Sequence, residues 1–212
     1  MPTPSDDFDR FAGYTAVAVG IGGLAYSIAF VTYLQSGSTA AAKLSSLLLM
    51  VGGVVSIPFL LALYKRLRVV DGGFAAMALA FGILGAAGAA IHGAYDLANF
   101  IKPPGAVQGN LPNAVDPRGL ATFAFSGLAV LLASWLILRG GGGFPKRLGQ
   151  LGVLSGLLLI YVYLGRLIIL NPKNPALLAA AVLSGFIVNP LWVGWVGWTV
   201  LRSTRARQAA GP

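Results

Sequence analysis

Four polar residues that could take part in chemistry lie along one apolar stretch of the sequence. They are His92, Tyr95, Asp96 and Asn99, and they follow glycines at positions 82, 85 and 88. At about 100° per residue in a helix, these positions fall within an arc of roughly 140°. A histidine and an aspartate one turn apart can bond to each other, which fixes the imidazole tautomer. The pattern predicts a helix whose glycine and polar face points into a bundle.

Two further polar residues belong to the candidate site. Arg166 and His92 each lie 18 residues beyond the start of their apolar runs, so both are predicted about 27 Å from the same side of a helix bundle. Asp96 would then reach Arg166 if their two helices are neighbours. Asn189 precedes a proline near the middle of the last apolar run, and the Asn189-Pro190 pair is typical of an interrupted membrane helix.

These residues allow two interpretations. In one, His92, Tyr95, Asp96, Asn99 and Arg166 form an outer-leaflet pocket, with Asn189 deeper, that binds a polar headgroup or small solute or relays protons. In the other, an Asp96–Arg166 salt bridge fixes the register of two helices, or Arg166 extends to the outer headgroups. The residues alone leave both open.

The composition is that of an integral membrane protein. Of 212 residues, 57% are hydrophobic and 10% are charged, with a mean hydropathy of +0.79, whereas soluble domains carry about 25% charged residues. A bilayer core takes roughly 20 apolar residues in a helix. We therefore predict a single all-α domain over residues 1–212, a bundle of six transmembrane helices. The spans are expected near residues 12–34, 44–64, 74–100, 119–138, 148–170 and 176–201.

The basic residues predict the orientation of the chain. Most of them fall on one side of the predicted membrane, namely Arg10, Lys65, Arg66, Arg68, Arg139, Lys146, Arg147, Arg202, Arg205 and Arg207. The other side receives Lys43, Lys102, Arg118 and Lys173. The positive-inside rule then places both termini in the cytoplasm of a cell whose inner or plasma membrane holds the protein. Contact with anionic lipid, and not with nucleic acid, explains the net charge of +9.

Several activities are disfavoured by the residues that the sequence lacks. There is no cysteine and only one histidine, so thiolate catalysis, cysteine metal sites and a bis-histidine haem are excluded, and a zinc site is disfavoured. An enzyme acting on lipid headgroups would use His92 as base with Asp96 orienting it, but no nucleophile or metal set accompanies them. We expect no cofactor, no metal and no catalytic residues.

The segments between the spans carry less information. Short cytoplasmic tails are predicted at residues 1–10 and 203–212, and an outer loop at 101–118. The loop contains four prolines, and a folded cap over the bundle and a mobile loop are equally compatible with it. Its last residues, Asp116-Pro117, are typical of a helix start.

Two side-chain clusters have ordinary interpretations. Asp6, Asp7 and Asp9 are expected to be a solvated acidic tail, with helix capping as the alternative. The tryptophans at 192, 195 and 198 are expected to form an interfacial belt, with a ligand-binding role as the alternative.

The run His-Gly-Ala-Tyr-Asp-Leu-Ala-Asn at 92–99, followed by Pro103-Pro104 and Asp-Pro-Arg-Gly at 116–119, resembles uncharacterised six-helix bacterial integral membrane proteins. The resemblance covers roughly residues 85–125 and implies a bacterial origin but no activity. The leading hypothesis is a non-enzymatic, transporter-like or sensory protein that binds a small polar or lipid-like ligand. The alternative is an accessory or structural subunit of a larger membrane complex. Expected partners are membrane lipids and either a second copy of the chain or a complex subunit.

Overall fold

The computed structural model describes residues 4–102, 117–169 and 174–209, and throughout these ranges it contains helices and no strand. Its six long helices are long and apolar enough to cross a membrane, which confirms the predicted number of spans. The first three are α1 (Pro4–Ser36), α2 (Thr39–Leu67) and α3 (Gly72–Ile101). The fourth helix, α4, comprises Pro117–Gly119, a π-helical segment Leu120–Phe125, and Ser126–Leu138. After α5 (Lys146–Ile169), α6 comprises Pro175–Val182, a π-helical segment Leu183–Val188, and Asn189–Ala209.

Local side chains start several of these helices. Ser38 accepts a hydrogen bond from the Ala41 backbone N–H at the start of α2, and Asp71 accepts one from that of Phe74 at the start of α3. Asn174 caps α6 directly before a proline in the first turn. Such side chains satisfy backbone N–H groups that the first helical turn leaves unpaired. The turns before α2 and α3 are therefore short.

The helices form a closed ring in which each packs beside the next in sequence and α6 packs against α1. A continuous core runs through the ring and includes Leu67, Leu136, Leu148, Trp192 and Val196. We call the side where α1 begins and α6 ends the terminal end of the bundle, and the opposite side the distal end. Because α4 lies between α3 and α5, those two helices are not packed neighbours.

Glycines set the closest helix contacts. A Cβ at Gly20 would lie 2.9 Å from the Pro190 carbonyl oxygen of α6, and one at Gly197 would lie 2.7 Å from the Gly13 carbonyl oxygen of α1. Since helices whose facing residues lack side chains can approach more closely, α6 is drawn against α1 along much of its length.

The Asn189-Pro190 pair lies where the hydrogen-bond pattern of α6 changes. The helix widens into a π turn over Leu183–Val188, directly before the proline. Pro190 has no N–H to donate to the Gly185 carbonyl, the acceptor in a π-type pattern. The Ser27 hydroxyl of α1 donates to that carbonyl instead, at 2.9 Å. A neighbouring helix thus satisfies the backbone group that the proline leaves unpaired.

Candidate functional site

The polar residues of α3 form a cluster at the distal end of the bundle. His92 Nε2 lies 3.4 Å from Asp96 Oδ2, because residues four apart in a helix stand one above the other. The predicted proximity of the two side chains within α3 is therefore confirmed. The imidazole is largely buried, and its other nitrogen faces the neighbouring helix α4.

The partner of Asp96 on another helix is Arg118, not Arg166. Arg118 Nη1 lies 3.2 Å from Asp96 Oδ1, with the two side chains 26% and 29% exposed. The Arg118 guanidinium carbon also lies 5.1 Å from the centroid of the Tyr95 ring, a cation–π contact. The predicted Asp96–Arg166 pair is wrong because α4 separates α3 from α5 and supplies the arginine itself.

Thr122 completes the cluster on α4. Its hydroxyl oxygen lies 3.2 Å from His92 Nδ1, and the residue is buried. In the tautomer with the proton on Nε2, the Thr122 hydroxyl can donate to Nδ1 while the Nε2–H faces the Asp96 carboxylate. The histidine thus connects a buried hydroxyl to a half-exposed carboxylate.

Glycines of α3 allow this contact between α3 and α4. A Cβ at Gly88 would contact Ala121 and come within 2.9 Å of the Thr122 backbone nitrogen, and one at Gly85 would contact Ser126. Gly82, Gly85 and Gly88 are all buried. The predicted inward direction of the glycine face is confirmed, and it is the absence of side chains there that brings Thr122 within reach of His92.

The other predicted site residues lie around or away from this cluster. Tyr95 is exposed beneath Arg118, and Asn99 is half-buried one turn further along α3. Arg166 is exposed on α5 and does not pair with Asp96.

Asn189 belongs to a different environment. The Ser155 hydroxyl lies 3.2 Å from its side-chain oxygen, inside the bundle between α5 and α6. It is not brought together with the α3 cluster. The predicted outer loop and the capping role of Asp116 fall largely on residues 103–116, which lie outside the described ranges.

A second charged cluster, at the terminal end, corrects another expectation. Asp9 is not part of a solvated tail, because its side chain is only 10% exposed and its carboxylate contacts three cations on two other helices. The distances are 3.5 Å to Lys65 Nζ, 3.3 Å to Arg66 Nη2 and 2.9 Å to Arg207 Nη2. We call these four residues the Asp9 cluster. The signal in the sequence was the location of Asp9 on the side that carries most of the basic residues.

The tryptophans also divide between two environments. Trp192 is a fully buried core residue against Gly152, whereas Trp198 is exposed. The expected interfacial belt is therefore wrong for Trp192. The sequence did carry a signal, because Trp192 lies only three residues from Asn189 near the middle of the run, whereas Trp198 lies about 9 Å further toward the terminal end and on another side of the helix.

Six apolar helices of membrane-crossing length indicate a multi-pass helical membrane protein. Within the described ranges no group of three or more histidine or acidic side chains could hold a metal ion. Comparison with known proteins yields no matching family model and no significant match to a curated protein or a solved structure. Any function must therefore be argued from the clusters themselves.

Proposed function

We propose that this protein binds a small polar or lipid-like ligand at the distal end of its bundle, as a transporter-like or sensory membrane protein. The observation that carries the proposal is the partly exposed Asp96–Arg118 pair, with His92 Nε2 3.4 Å from the same carboxylate. Charged side chains at membrane depth are costly and commonly mark ligand or proton pathways. About a quarter of each side chain of the pair is exposed, so both charges keep some surface that a ligand can reach.

The chemistry of the cluster defines the class of ligand. Arg118 offers guanidinium donors, Asp96 offers acceptor oxygens, and the Tyr95 ring provides an apolar face beside them. A ligand with an anionic or carbonyl group and a nearby donor would exchange contacts with the Asp96–Arg118 pair. The contact between His92 and Asp96 would change at the same time, because His92 and Arg118 approach the same carboxylate.

The orientation of the protein is part of the proposal. The terminal end carries the larger share of basic residues, so the positive-inside rule places it in the cytoplasm. The α3–α4 cluster then faces the outside of a plasma membrane. Because the chain has no cysteine, single cysteines can test this directly. A membrane-impermeant maleimide is expected to label Thr39→Cys in intact cells and Lys146→Cys only after permeabilisation, and the reverse pattern would overturn the orientation.

The alternative function is that of an accessory subunit in a larger membrane complex. The glycines of α3 do not favour it, since they are buried against neighbouring helices of the same bundle. Gly22 and Gly23 on α1 and Gly52 on α2 do favour it, because a Cβ at each would meet open space. Outward-facing glycines of this kind are typical surfaces for packing another transmembrane helix.

Native mass spectrometry of protein released gently from its own membrane tests both functions. The ligand proposal predicts a bound small molecule or lipid that is lost in Asp96→Asn and His92→Ala. Asp71→Asn is the matched control, because it makes the same chemical change on α3 at the other end, where asparagine still caps the helix. Equal ligand content in all four proteins would reject the site, and a partner protein at fixed stoichiometry would favour the accessory subunit.

A further inference from the structure

A groove between α5 and α6 is open to the surroundings of the bundle at the terminal end. It has a volume of about 600 Å³ and is lined by Leu151, Pro190, Leu191, Gly194, Trp195 and Trp198. Along α6 it covers roughly 12 Å at 1.5 Å per residue, close to the roughly 15 Å of one leaflet of a bilayer core. An apolar groove of this length matches part of an acyl chain.

The packing of α6 explains why the groove exists. Glycine contacts hold α6 close to α1, as described above, while the other side of α6 leaves space beside α5. A Cβ at Gly194 would meet nothing within 4 Å, although the backbone of Gly194 touches α1. Exposed side chains of Leu191 and Trp198 form the rim of the groove.

Two arginines stand at the terminal edge of the same groove. On α6, Arg202 follows Trp198 by four residues and continues the stripe formed by Leu191 and Trp195. On α5, Arg147 precedes Leu151 by four residues and lies on the same face of its helix. Both arginines are exposed, and no acidic group of the described residues pairs with either.

We propose that this groove binds one anionic phospholipid, with an acyl chain along Gly194 and Trp198 and the phosphate against Arg147 and Arg202. Guanidinium groups bind phosphate oxygens through paired hydrogen bonds. The apolar lining of the groove lies deeper in the membrane than its two arginines, just as the acyl chain of a lipid lies deeper than its headgroup. The site is separate from the α3–α4 cluster, so it neither requires nor supports the ligand proposed there.

The test is lipid binding to the delipidated, detergent-solubilised full chain, measured by native mass spectrometry. Palmitoyl-oleoyl phosphatidylglycerol is titrated against phosphatidylcholine with the same chains. Wild type is expected to bind one phosphatidylglycerol roughly 25-fold more tightly than phosphatidylcholine, since each of the two arginines near an anionic lipid contributes about fivefold.

Two kinds of variant separate the chain from the headgroup. Gly194→Leu fills the groove and is expected to abolish binding of both lipids, whereas Gly52→Leu, which adds the same side chain at another open position, should bind as wild type does. Arg202→Gln should lower the preference for phosphatidylglycerol roughly fivefold, while Arg68→Gln, an exposed arginine at the end of α2, should leave it unchanged.

Each contrary result overturns the proposal. Equal affinity of wild type for the two lipids would remove the headgroup contact, and undiminished binding by Gly194→Leu would place the lipid elsewhere. A dimer that binds no lipid and dissociates in Gly194→Leu would show that a second copy of the chain fills the groove.

Discussion

The two ends of the bundle each contain one carboxylate among cations, and they use it differently. Asp9, 10% exposed, contacts Lys65, Arg66 and Arg207 from two other helices. Asp96, 29% exposed, bonds His92 on its own helix and Arg118 on the next. The first arrangement joins α1, α2 and α6 around a buried carboxylate where the ring of helices closes, although Lys65 and Arg207 are themselves 42% and 53% exposed. The second leaves part of its carboxylate accessible. The two clusters therefore differ in the burial of the carboxylate and the number of helices joined, and not in ion pairing itself.

The largest effect is expected from Asp9→Asn. Breaking a buried ion pair lowers the free energy of unfolding by about 3–5 kcal/mol because a charge is left uncompensated. Since Lys65 and Arg207 are partly exposed to solvent, we expect a loss at the lower limit, about 3 kcal/mol. Denaturant unfolding in detergent micelles measures it. Asp7→Asn, on the same helix but exposed, should unfold as wild type does. A loss below about 1 kcal/mol for Asp9→Asn would show that the cluster does not hold the ring closed.

A smaller but clear effect is expected where α3 meets α4. Gly88→Ala adds a methyl group against Ala121 and the Thr122 backbone, and overpacking of this kind costs about 1–3 kcal/mol. The same substitution at Gly52, where a Cβ meets open space, should leave stability unchanged or slightly raised. Thermal unfolding of both variants in one detergent gives the comparison. Equal stability would mean that the two helices separate without cost and that Gly88 does not position Thr122.

Arg166 and Asp9 show how much of the fold and of the candidate site could be predicted from the sequence. The apolar lengths predicted six helices, and the spacing of the α3 glycines predicted a buried face, because both depend only on helix periodicity and membrane thickness. The failure of Arg166 to pair with Asp96 could not be predicted, because the order of helices around a ring depends on packing between segments distant in sequence. Asp9 was misassigned for the same reason, since its cations lie 56 to 198 residues away.

The Asp96–Arg118 pair should contribute less to stability than the Asp9 cluster. Half-exposed pairs are screened, and double-mutant cycles commonly give about 0.2–1 kcal/mol. We therefore expect a coupling free energy below about 1 kcal/mol between Asp96→Asn and Arg118→Gln, measured by denaturant unfolding. Coupling near 3 kcal/mol would make this end as architectural as the other and would weaken the case for a ligand site.

A similarly small change in stability, together with the most specific spectroscopic change, is expected from Thr122→Val. The substitution keeps the shape of the side chain but removes the hydroxyl that lies 3.2 Å from His92 Nδ1, at a cost of about 1 kcal/mol. Since the chain has a single histidine, ¹⁵N-histidine labelling reports on His92 alone. In wild type, the Asp96 carboxylate favours the proton on Nε2 and the Thr122 hydroxyl favours a bare Nδ1, so one tautomer should dominate. Thr122→Val should shift the Nδ1 resonance, and Asp96→Asn the Nε2 resonance, whereas Thr199→Val, which removes a hydroxyl from α6, should shift neither. If both nitrogens respond only to Asp96→Asn, the connection from Thr122 through His92 is absent, and the accessible part of the cluster reduces to Asp96, Arg118 and Tyr95.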